Sequence, residues 1–386
     1  MNPIYLDHNA TTPLAPQVLE AMMPFLSGGY AGQFGNPSSI HSAGRAARAA
    51  VDDARDRLAS LLGARPHEII FCNGGTEADN LAVIGLARNR VRKGLDRHII
   101  TSQTEHHAVL HAAEFLEKHE GFRVTWLPVD GRGLIDLDDL RGAITPKTAL
   151  VSILSANNET GTMQPVEEIA AICQENGVPF HSDMVQSFGK ARVQAGLPDA
   201  FSIAAHKFNG PKGAGALWLR SGVSIDPIGF GGAHENERRP GTENVAAIVG
   251  MITAAGLALN AIDDEQPRQA ALRDRLWEGI VASFPAAIRN GAWDSPARQL
   301  ANTLNVSFPG LDGEPLLINF DLAGICVSSG SACMTGSPQP SHVLMAMGVP
   351  KELAAASLRF SLGKGTTEEE IESVIERLPT IFDRLR

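Results

Sequence analysis

The chain has 386 residues, 44% of them hydrophobic and 20% charged, with a formal net charge of −10. This length predicts two domains, and the acidic balance argues against a nucleic-acid partner, because phosphate binding requires a positive surface. The four cysteines show no C-x-x-C spacing. That absence excludes a disulfide framework and a thiolate zinc site, and it fits a reducing cytoplasm.

Two features of the sequence bear on targeting and on membrane insertion. The sequence begins without the basic and apolar regions of a signal peptide. Residues 244–262 carry no charge, which is nearly the length of a membrane span. Their polar residues and many alanines favour a buried helix of a soluble protein instead, so we expect no membrane partner.

Short apolar runs alternate with helical patterns along the first two thirds of the chain. A helix is predicted over residues 44–62, where Ala47, Val51, Ala54 and Leu58 share one face before a stop at Gly63. Further helices are predicted at residues 108–119 and 166–176. The predicted strands are residues 68–71, 98–101, 124–129, 149–154, 178–181, 200–204 and 215–219. This order predicts an α/β fold with a mostly parallel seven-stranded sheet between helices.

The pattern changes after residue 255. Long helices are predicted at residues 269–283 and 367–385, around short β-like runs at residues 303–308, 325–328 and 357–362. This arrangement predicts a smaller α+β domain. We therefore expect a large domain of residues 16–255, with residues 1–15 and 256–386 forming the small domain.

The turn Gly74-Gly75-Thr76 lies between a predicted strand and a helix. Glycines here let backbone N–H groups close on an anion, and the helix dipole adds to the attraction. Thr76 could donate its hydroxyl to a phosphate, although this motif by itself favours an ordinary turn with a Thr N-cap. Without a Walker lysine or a G-x-G-x-x-G motif, nucleotide binding is weakly supported.

Two ionisable residues end apolar strands. Lys207 lies among glycine and proline, where desolvation would favour the neutral amine that forms a Schiff base; a structural loop lysine is the alternative. Asp183 lies where α/β sheets bind ligands and could keep a pyridinium nitrogen protonated, or it could be an N-cap. A phosphate cradle, a ring acid and an amine are the protein groups that a pyridoxal phosphate site requires.

Histidines 106, 107 and 111 form a cluster. His107 and His111 have the i, i+4 spacing of metal ligands, but there is no H-E-x-x-H motif and no neighbouring Cys or Asp. We therefore expect no metal. His106 is better explained as an aromatic plate over a cofactor ring and a proton carrier.

The segment around Cys333 consists of serine, glycine and alanine. This setting predicts an accessible and reactive thiol, whereas Cys72, Cys173 and Cys326 lie in apolar segments and are predicted to be buried. Arg359 lies inside a β-like run, where arginine usually pairs with a carboxylate. That carboxylate could be internal or could belong to a substrate.

Together these motifs resemble the cysteine desulfurases of the NifS/IscS type, in class V of the fold-type-I aminotransferase-like enzymes. The matching segments occur in order over nearly the whole chain: residues 5–12, 34–39, 75–80, 104–106, 157–161, 206–207, 210–213, 239–244, the Cys333 segment and residues 359–363. The resemblance implies a fold-type-I homodimer that uses pyridoxal 5′-phosphate and L-cysteine.

The resemblance also implies residue roles. The implied cofactor residues are Lys207 as covalent carrier, Asp183 at the ring nitrogen, Gln186 at the 3′-oxygen, His106 on the ring face, and Gly75, Thr76, His206 and the partner subunit's Thr242 at the phosphate. Asn158 would contact both cofactor and substrate, and Arg359 the substrate carboxylate. Lys207 would move the α-proton and Cys333 would take the sulfur as a persulfide. A sulfur acceptor such as an iron–sulfur scaffold protein would then receive it.

The chain departs from the family at Ala204-Ala205, where members often carry Ser-Gly before the His-Lys pair, so the phosphate would have one donor fewer. Pro240 and residues 334–336 also differ. Three alternatives remain open. A selenocysteine lyase uses the same chemistry, a plain class V aminotransferase would not need Cys333, and a catalytically dead scaffold would not need both Lys207 and Cys333.

Overall fold

The computed structural model describes residues 3–27, 33–192, 196–329 and 340–385. The strands in this part of the chain are β1 Ile4–Tyr5, β2 Ile69–Cys72, β3 His98–Ser102, β4 Arg123–Leu127, β5 Leu150–Ser152, β6 Phe180–Asp183, β7 Ala200–Ala204, β8 Gly215–Leu219, β9 Ile288–Asn290, β10 Thr303–Ser307, β11 Ile325–Cys326 and β12 Ser357–Ser361. The α-helices are α1 Pro16–Met22, α2 Ser42–Leu62, α3 Gly75–Arg92, α4 His107–Glu120, α5 Leu137–Ala143, α6 Val166–Glu175, α7 Val245–Ser283, α8 Gly313–Leu322, α9 His342–Ala346, α10 Lys351–Ala355 and α11 Glu368–Asp383.

The central sheet has seven strands in the order β2-β8-β7-β6-β5-β3-β4. Five neighbouring strands, from β4 to β7, run parallel, and only β8 is antiparallel to both of its neighbours. All the sheet strands except β4, at one edge, are buried along their whole length, as expected of a sheet covered on both faces. The predicted α/β class and mostly parallel seven-stranded sheet are confirmed.

Successive residues of β2 show how the sheet is covered. Ile69 and Phe71 join a core that includes α2 and the first half of α7, whereas Ile70 and Cys72 join a core with α3 and α4. Side chains alternate between the two faces of a strand, so one apolar run supplies both layers. The α2 helix ends at Gly63 with φ of 63°, which confirms the predicted stop.

The C-terminal region has its own antiparallel sheet in the order β12-β10-β9. Its core includes phenylalanines 308, 320, 360 and 382 together with Ile4 and Leu6 from the N-terminal segment. The N-terminal strand β1 pairs in parallel with β11. Residues 4–6 therefore pack with the C-terminal part of the chain before the segment continues toward the central sheet.

Helix α7 differs from the prediction of two separate helices at residues 244–262 and 269–283, because it continues through residues 263–268 and Pro267. Tertiary hydrogen bonds hold this charged stretch: Arg268 donates to the carbonyl oxygens of Thr366 and Gly363, and Gln266 donates to that of Lys190. The domain boundary at residue 255 stays a prediction, since the helix runs through it without a break.

Helix α7 is also long and apolar enough, by length and composition, to cross a membrane. More than half of its apolar stretch is nevertheless buried inside the protein. Residues from Val245 to Ala255 pack there with α2 in the core, as predicted for a buried helix.

Three consecutive residues without glycine's freedom adopt left-handed backbone conformations. Glu235, Asn236 and Glu237 have φ of 48°, 55° and 62°, a region that costs an L-residue roughly 1–2 kcal/mol. The buried Glu235 carboxylate holds the turn, because it accepts hydrogen bonds from both Arg55 terminal nitrogens at 2.6 and 2.8 Å and from the Phe71 N–H at 3.1 Å. The strained turn directly precedes the segment that contains Thr242.

Replacing the exposed Glu237 by glycine should therefore stabilise the protein. Glycine adopts positive φ without the steric penalty but loses more entropy on folding, so the expected net gain is about 0.5–1 kcal/mol in the free energy of unfolding. Urea denaturation followed by circular dichroism would measure it. Glu117→Gly, at an exposed position inside α4, is the matched control and should lose about 1 kcal/mol. Equal losses in both variants would contradict the argument.

Candidate active site

Polar residues converge at one edge of the central sheet. The parallel strands β6 and β7 both end there, at Asp183 and just before Lys207. Strand β2 runs in the same direction as β7, because both are antiparallel to β8, so its end brings Gly75 and Thr76 to the same edge. Open α/β sheets bind ligands at this carboxyl edge.

Asp183 and His106 lie together beneath this edge. A ring nitrogen of His106 and a carboxylate oxygen of Asp183 lie within 4.8 Å of each other. Burial raises the pKa of Asp183 to about 6, against the opposing effects of the Val185 N–H and of Lys207. Burial, together with Lys207, lowers the pKa of His106 to about 4. His106 is therefore neutral at pH 7. A cationic ring placed beside Asp183 would favour the ionised form of the Asp183 carboxyl group.

Asp79 completes this cluster, and sequence reasoning missed it. Its carboxylate lies within the same 4.8 Å of Asp183 and His106, an arrangement that could hold a metal ion. Burial and Asp183 raise the pKa of Asp79 well above its usual range, however, and a neutral acid is a poor metal ligand. His107 and His111, the pair considered from their spacing, instead stack on each other with ring centroids 5.0 Å apart.

The Gly75-Thr76 turn is shaped for an anion. The N-cap of α3 is Gly74, with no side-chain capping bond, so the N-cap role considered for Thr76 is wrong and the first-turn N–H groups keep their capacity for a ligand. A β-carbon on Gly75 would lie 2.6 Å from Val185 Cγ2, so a larger residue would not fit. Thr76 is exposed and lines a cavity shared with His106.

The N-terminal segment contacts the residues that follow β7. Lys207 Nζ donates to the carbonyl oxygens of Asn9 at 2.5 Å and Ala10 at 2.9 Å. His206 Nδ1 lies 3.2 Å from Thr11 Oγ1, and burial, followed by Lys207, lowers its pKa to about 4. The segment thus brings backbone oxygens directly to the lysine amine.

Asn9 is the second residue that sequence reasoning missed, although it lies within a motif that carried the resemblance. It is 1% exposed. Its carbonyl oxygen also accepts a 2.9 Å hydrogen bond from Gln186 Nε2, and its side chain donates to the Asn158 carbonyl oxygen at 3.1 Å and to Thr303 Oγ1 at 2.9 Å. Asn9 therefore connects the lysine, Gln186 and Asn158.

Arg359 has an internal partner. It is buried on β12, and its Nη2 donates to Asp7 Oδ1 at 2.7 Å while its Nη1 donates to the Asn158 carbonyl oxygen at 3.1 Å. Its Nε is buried and has no hydrogen-bond partner among the residues that the structure describes. Of the two partners considered from sequence, the internal one is present, and one donor remains for a further acceptor.

One described candidate residue is not brought into this cluster. Thr242 is exposed, and Arg239, in the same segment, is tied to Glu77 of α3 by an ion pair of 2.9 Å. Cys333 lies outside the described residues. Among the other cysteines, Cys72 and Cys173 are buried as predicted, but Cys326, the last residue of the two-residue strand β11, is partly exposed.

The described cluster therefore offers a buried acid, a flat imidazole, a primary amine and an anion-binding turn. Comparison with known proteins identifies the class. The sequence pattern of the class-V aminotransferase family matches residues 4–374, and the chain belongs to this family. Its fold is accordingly the fold type I of pyridoxal phosphate enzymes.

Individual relatives narrow the comparison. The cysteine desulfurase IscS of Clostridium botulinum is 46% identical over 385 residues, which cover 99% of this chain and 95% of that protein. A solved NifS-like protein superposes with a TM-score of 0.90 at 36% identity and covers 99% of this chain and 100% of its own. SspA, solved in complex with cysteine, superposes with a TM-score of 0.79 at 36% identity. The match covers 93% of this chain and 98% of the SspA chain.

His181, on the strand that ends at Asp183, predicts how stability depends on pH. It is fully buried between Ser152 and Ser202, and burial lowers its pKa from 6.5 to about 3. Because the pKa is depressed in the folded protein, its stabilising contribution is complete above the unfolded value and is lost on acidification. Between about pH 7 and pH 4 the loss should be on the order of 3 kcal/mol.

Urea denaturation across that range would test this. His181→Gln should be less stable than the wild type near neutral pH but should lose less stability on acidification. His119→Gln, on the exposed surface of α4, is the control and should follow the wild type. A His181→Gln variant that loses stability as steeply as the wild type would contradict the assignment.

Proposed function

We propose that this protein is a pyridoxal-phosphate-dependent cysteine desulfurase, which converts L-cysteine to L-alanine and holds the sulfur as a persulfide on Cys333. The observation that carries the proposal is the convergence of Asp183, His106, Lys207 and the Gly75-Thr76 turn at the carboxyl edge of the sheet. The cysteine desulfurases at 46% identity support it over nearly the whole chain.

The residues present fit the cofactor. Asp183 would bind the ring nitrogen, His106 would lie against the ring face, and Gln186 would donate to the 3′-oxygen. Gly75, Thr76 and His206 would hold the phosphate, with Asn158 nearby. The bound cofactor would accept the electron pair released when the substrate loses its α-proton. The buried carboxyl of Asp183 and the glycine that fits closely against Val185 are the features that match such a group.

The remaining steps belong to the protein and substrate. Arg359 would bind the substrate carboxylate through its unpaired Nε, and Lys207, released from the cofactor, would take the α-proton. The Cys333 thiolate would attack the substrate sulfur, so that a sulfur–sulfur bond forms as the substrate carbon–sulfur bond breaks. The electron pair of that bond stays with the carbon, which is protonated and leaves as alanine.

Partners follow from this chemistry. We propose a homodimer, in which the partner subunit's Thr242 adds a phosphate donor; in one chain Thr242 is exposed. That donor would offset the missing serine at Ala204-Ala205. The persulfide would be passed in the cytoplasm to an iron–sulfur scaffold protein or another sulfur acceptor.

Cys333→Ser tests the sulfur step. The variant should keep the visible absorbance of the lysine-bound cofactor and change that absorbance when cysteine is added, yet release no alanine and carry no persulfide. The reason is that the serine hydroxyl is not ionised at neutral pH and cannot accept sulfur. Alanine release and persulfide mass would be measured on the same preparation.

Lys207→Ala is the matched variant at the other end of the reaction. It should lose the lysine-bound cofactor absorbance and alanine formation together, while Cys72→Ala should change neither. Alanine release by Cys333→Ser at the wild-type rate would rule out the persulfide step. Transfer of the amino group to a keto acid, without sulfur release, would assign the protein to the plain aminotransferases.

Arg359→Lys tests substrate binding. A lysine ammonium cannot keep the contacts of Nη1 and Nη2 and also present a donor where Nε lies, so KM for cysteine should rise by a factor equivalent to roughly 2–4 kcal/mol. Steady-state kinetics would measure it.

Asp7→Asn is the control, because it removes the internal ion pair but leaves the guanidinium. Its KM should change much less than that of Arg359→Lys. An unchanged KM in Arg359→Lys, together with lower stability in both variants, would mean that Arg359 serves only its internal partner.

A further inference from the structure

A second lysine lies beside the cofactor-carrying position. Lys190 Nζ donates to Gln186 Oε1 at 2.7 Å and to Asn9 Oδ1 at 3.1 Å. Within the described ranges it forms no ion pair with a carboxylate. Burial, and then Lys207 and Arg359, lower the pKa of Lys190 well below its usual range. This residue has no role in the chemistry outlined above.

The amine of Lys190 fixes the orientation of both amides that it contacts. It donates in both contacts, and a donor must face an acceptor, so the partner atoms on Gln186 and Asn9 must be oxygens. The Gln186 Nε2 group must then point the other way, where it donates to the Asn9 carbonyl oxygen. The same constraint turns Asn9 Nδ2 toward the Asn158 carbonyl oxygen and Thr303.

The two amides serve both ends of the site. Gln186 is the residue proposed to donate to the 3′-oxygen of the cofactor, and donation requires the Nε2 group to face the site. Asn9 holds the backbone of Asn158, which in turn accepts from Arg359. One amine thus sets the hydrogen-bonding polarity of a network that reaches from the cofactor position to the substrate position.

A purely structural role would favour another side chain at position 190. An amine removed from water is costly, and an apolar residue of similar volume is often neutral or stabilising in such a place. Lys190 lines a cavity whose walls include Ala254, Leu257 and Ala258, so methionine at this position would have apolar neighbours.

We propose that Lys190 is a positioning residue, whose amine orients the carboxamides of Gln186 and Asn9 so that Gln186 presents its N–H to the cofactor. This inference rests on the proposed function. It adds the requirement that the Gln186 amide be oriented by a residue that does not itself touch the cofactor.

The test measures cofactor binding to cofactor-free protein rather than turnover. In Lys190→Met the Kd for pyridoxal 5′-phosphate should rise about tenfold or more, because the Gln186 amide loses its orientation. In the Gln186→Ala background the same substitution should change Kd less than about threefold, since the amide that it orients is already absent. Lys190→Arg, which keeps charged donors, should recover part of the affinity. Lys364→Met, at an exposed lysine beside the same cavity, is the control.

Thermal unfolding with and without cofactor separates positioning from folding. Lys190→Met should reduce the rise in Tm caused by the cofactor more than it changes the Tm of the cofactor-free protein. If Lys190→Met does not fold, Lys190→Gln takes its place. Equal Kd values for wild type and variant, or losses that add fully with Gln186→Ala, would overturn the inference while leaving the proposed function standing. Failure of the wild type to bind the cofactor would overturn both.

Discussion

The buried residue Asn9 holds the site together, because its atoms contact parts of the chain that are far apart in sequence. Its backbone carbonyl oxygen accepts hydrogen bonds from Lys207 and Gln186, which follow strands of the large sheet, and its side chain donates to Thr303 on β10 of the C-terminal sheet. The segment that carries it also joins the C-terminal core through Ile4 and Leu6. The lysine amine and the Arg359 guanidinium therefore keep a fixed relation only while this segment stays in place.

The burial of three carboxyl groups below the sheet edge is the second constraint on the structure. Asp79, Glu105 and Asp183 are buried carboxyl groups whose pKa values are raised by burial, and no stability argument alone would place three of them together. Such groups are typical of functional sites, where their cost is offset by packing elsewhere. The two large apolar cores on either side of the sheet supply that packing.

The periodicity of the sequence predicted the central sheet because fully buried strands and amphipathic helices each leave a strong local pattern. The same periodicity predicted two helices where the structure has the single helix α7, since the charged residues 263–268 interrupt the apolar pattern. Tertiary contacts of Arg268 and Gln266 hold these residues in the helix. In the site, strand ends identified Asp183 and Lys207. Asp79, Asn9 and Lys190 were missed because their roles depend on neighbours up to 294 residues away, which no local pattern records.

The ion pair between Arg359 and Asp7 means that a ligand bound at Arg359 would affect the position of the N-terminal segment. A substrate carboxylate at Arg359 would have to share the guanidinium with Asp7 or displace it, because Nη2 already donates to Asp7 and the buried Nε is the donor that remains among the described residues. Asp7 is only two residues from Asn9, whose carbonyl oxygen accepts from Lys207. Any shift of Asp7 would therefore move the backbone oxygens that hold the lysine amine. If Arg359 and Lys207 have the roles proposed for them, carboxylate binding and the placement of the lysine amine would thus be linked through five residues of the N-terminal segment, Asp7 to Thr11.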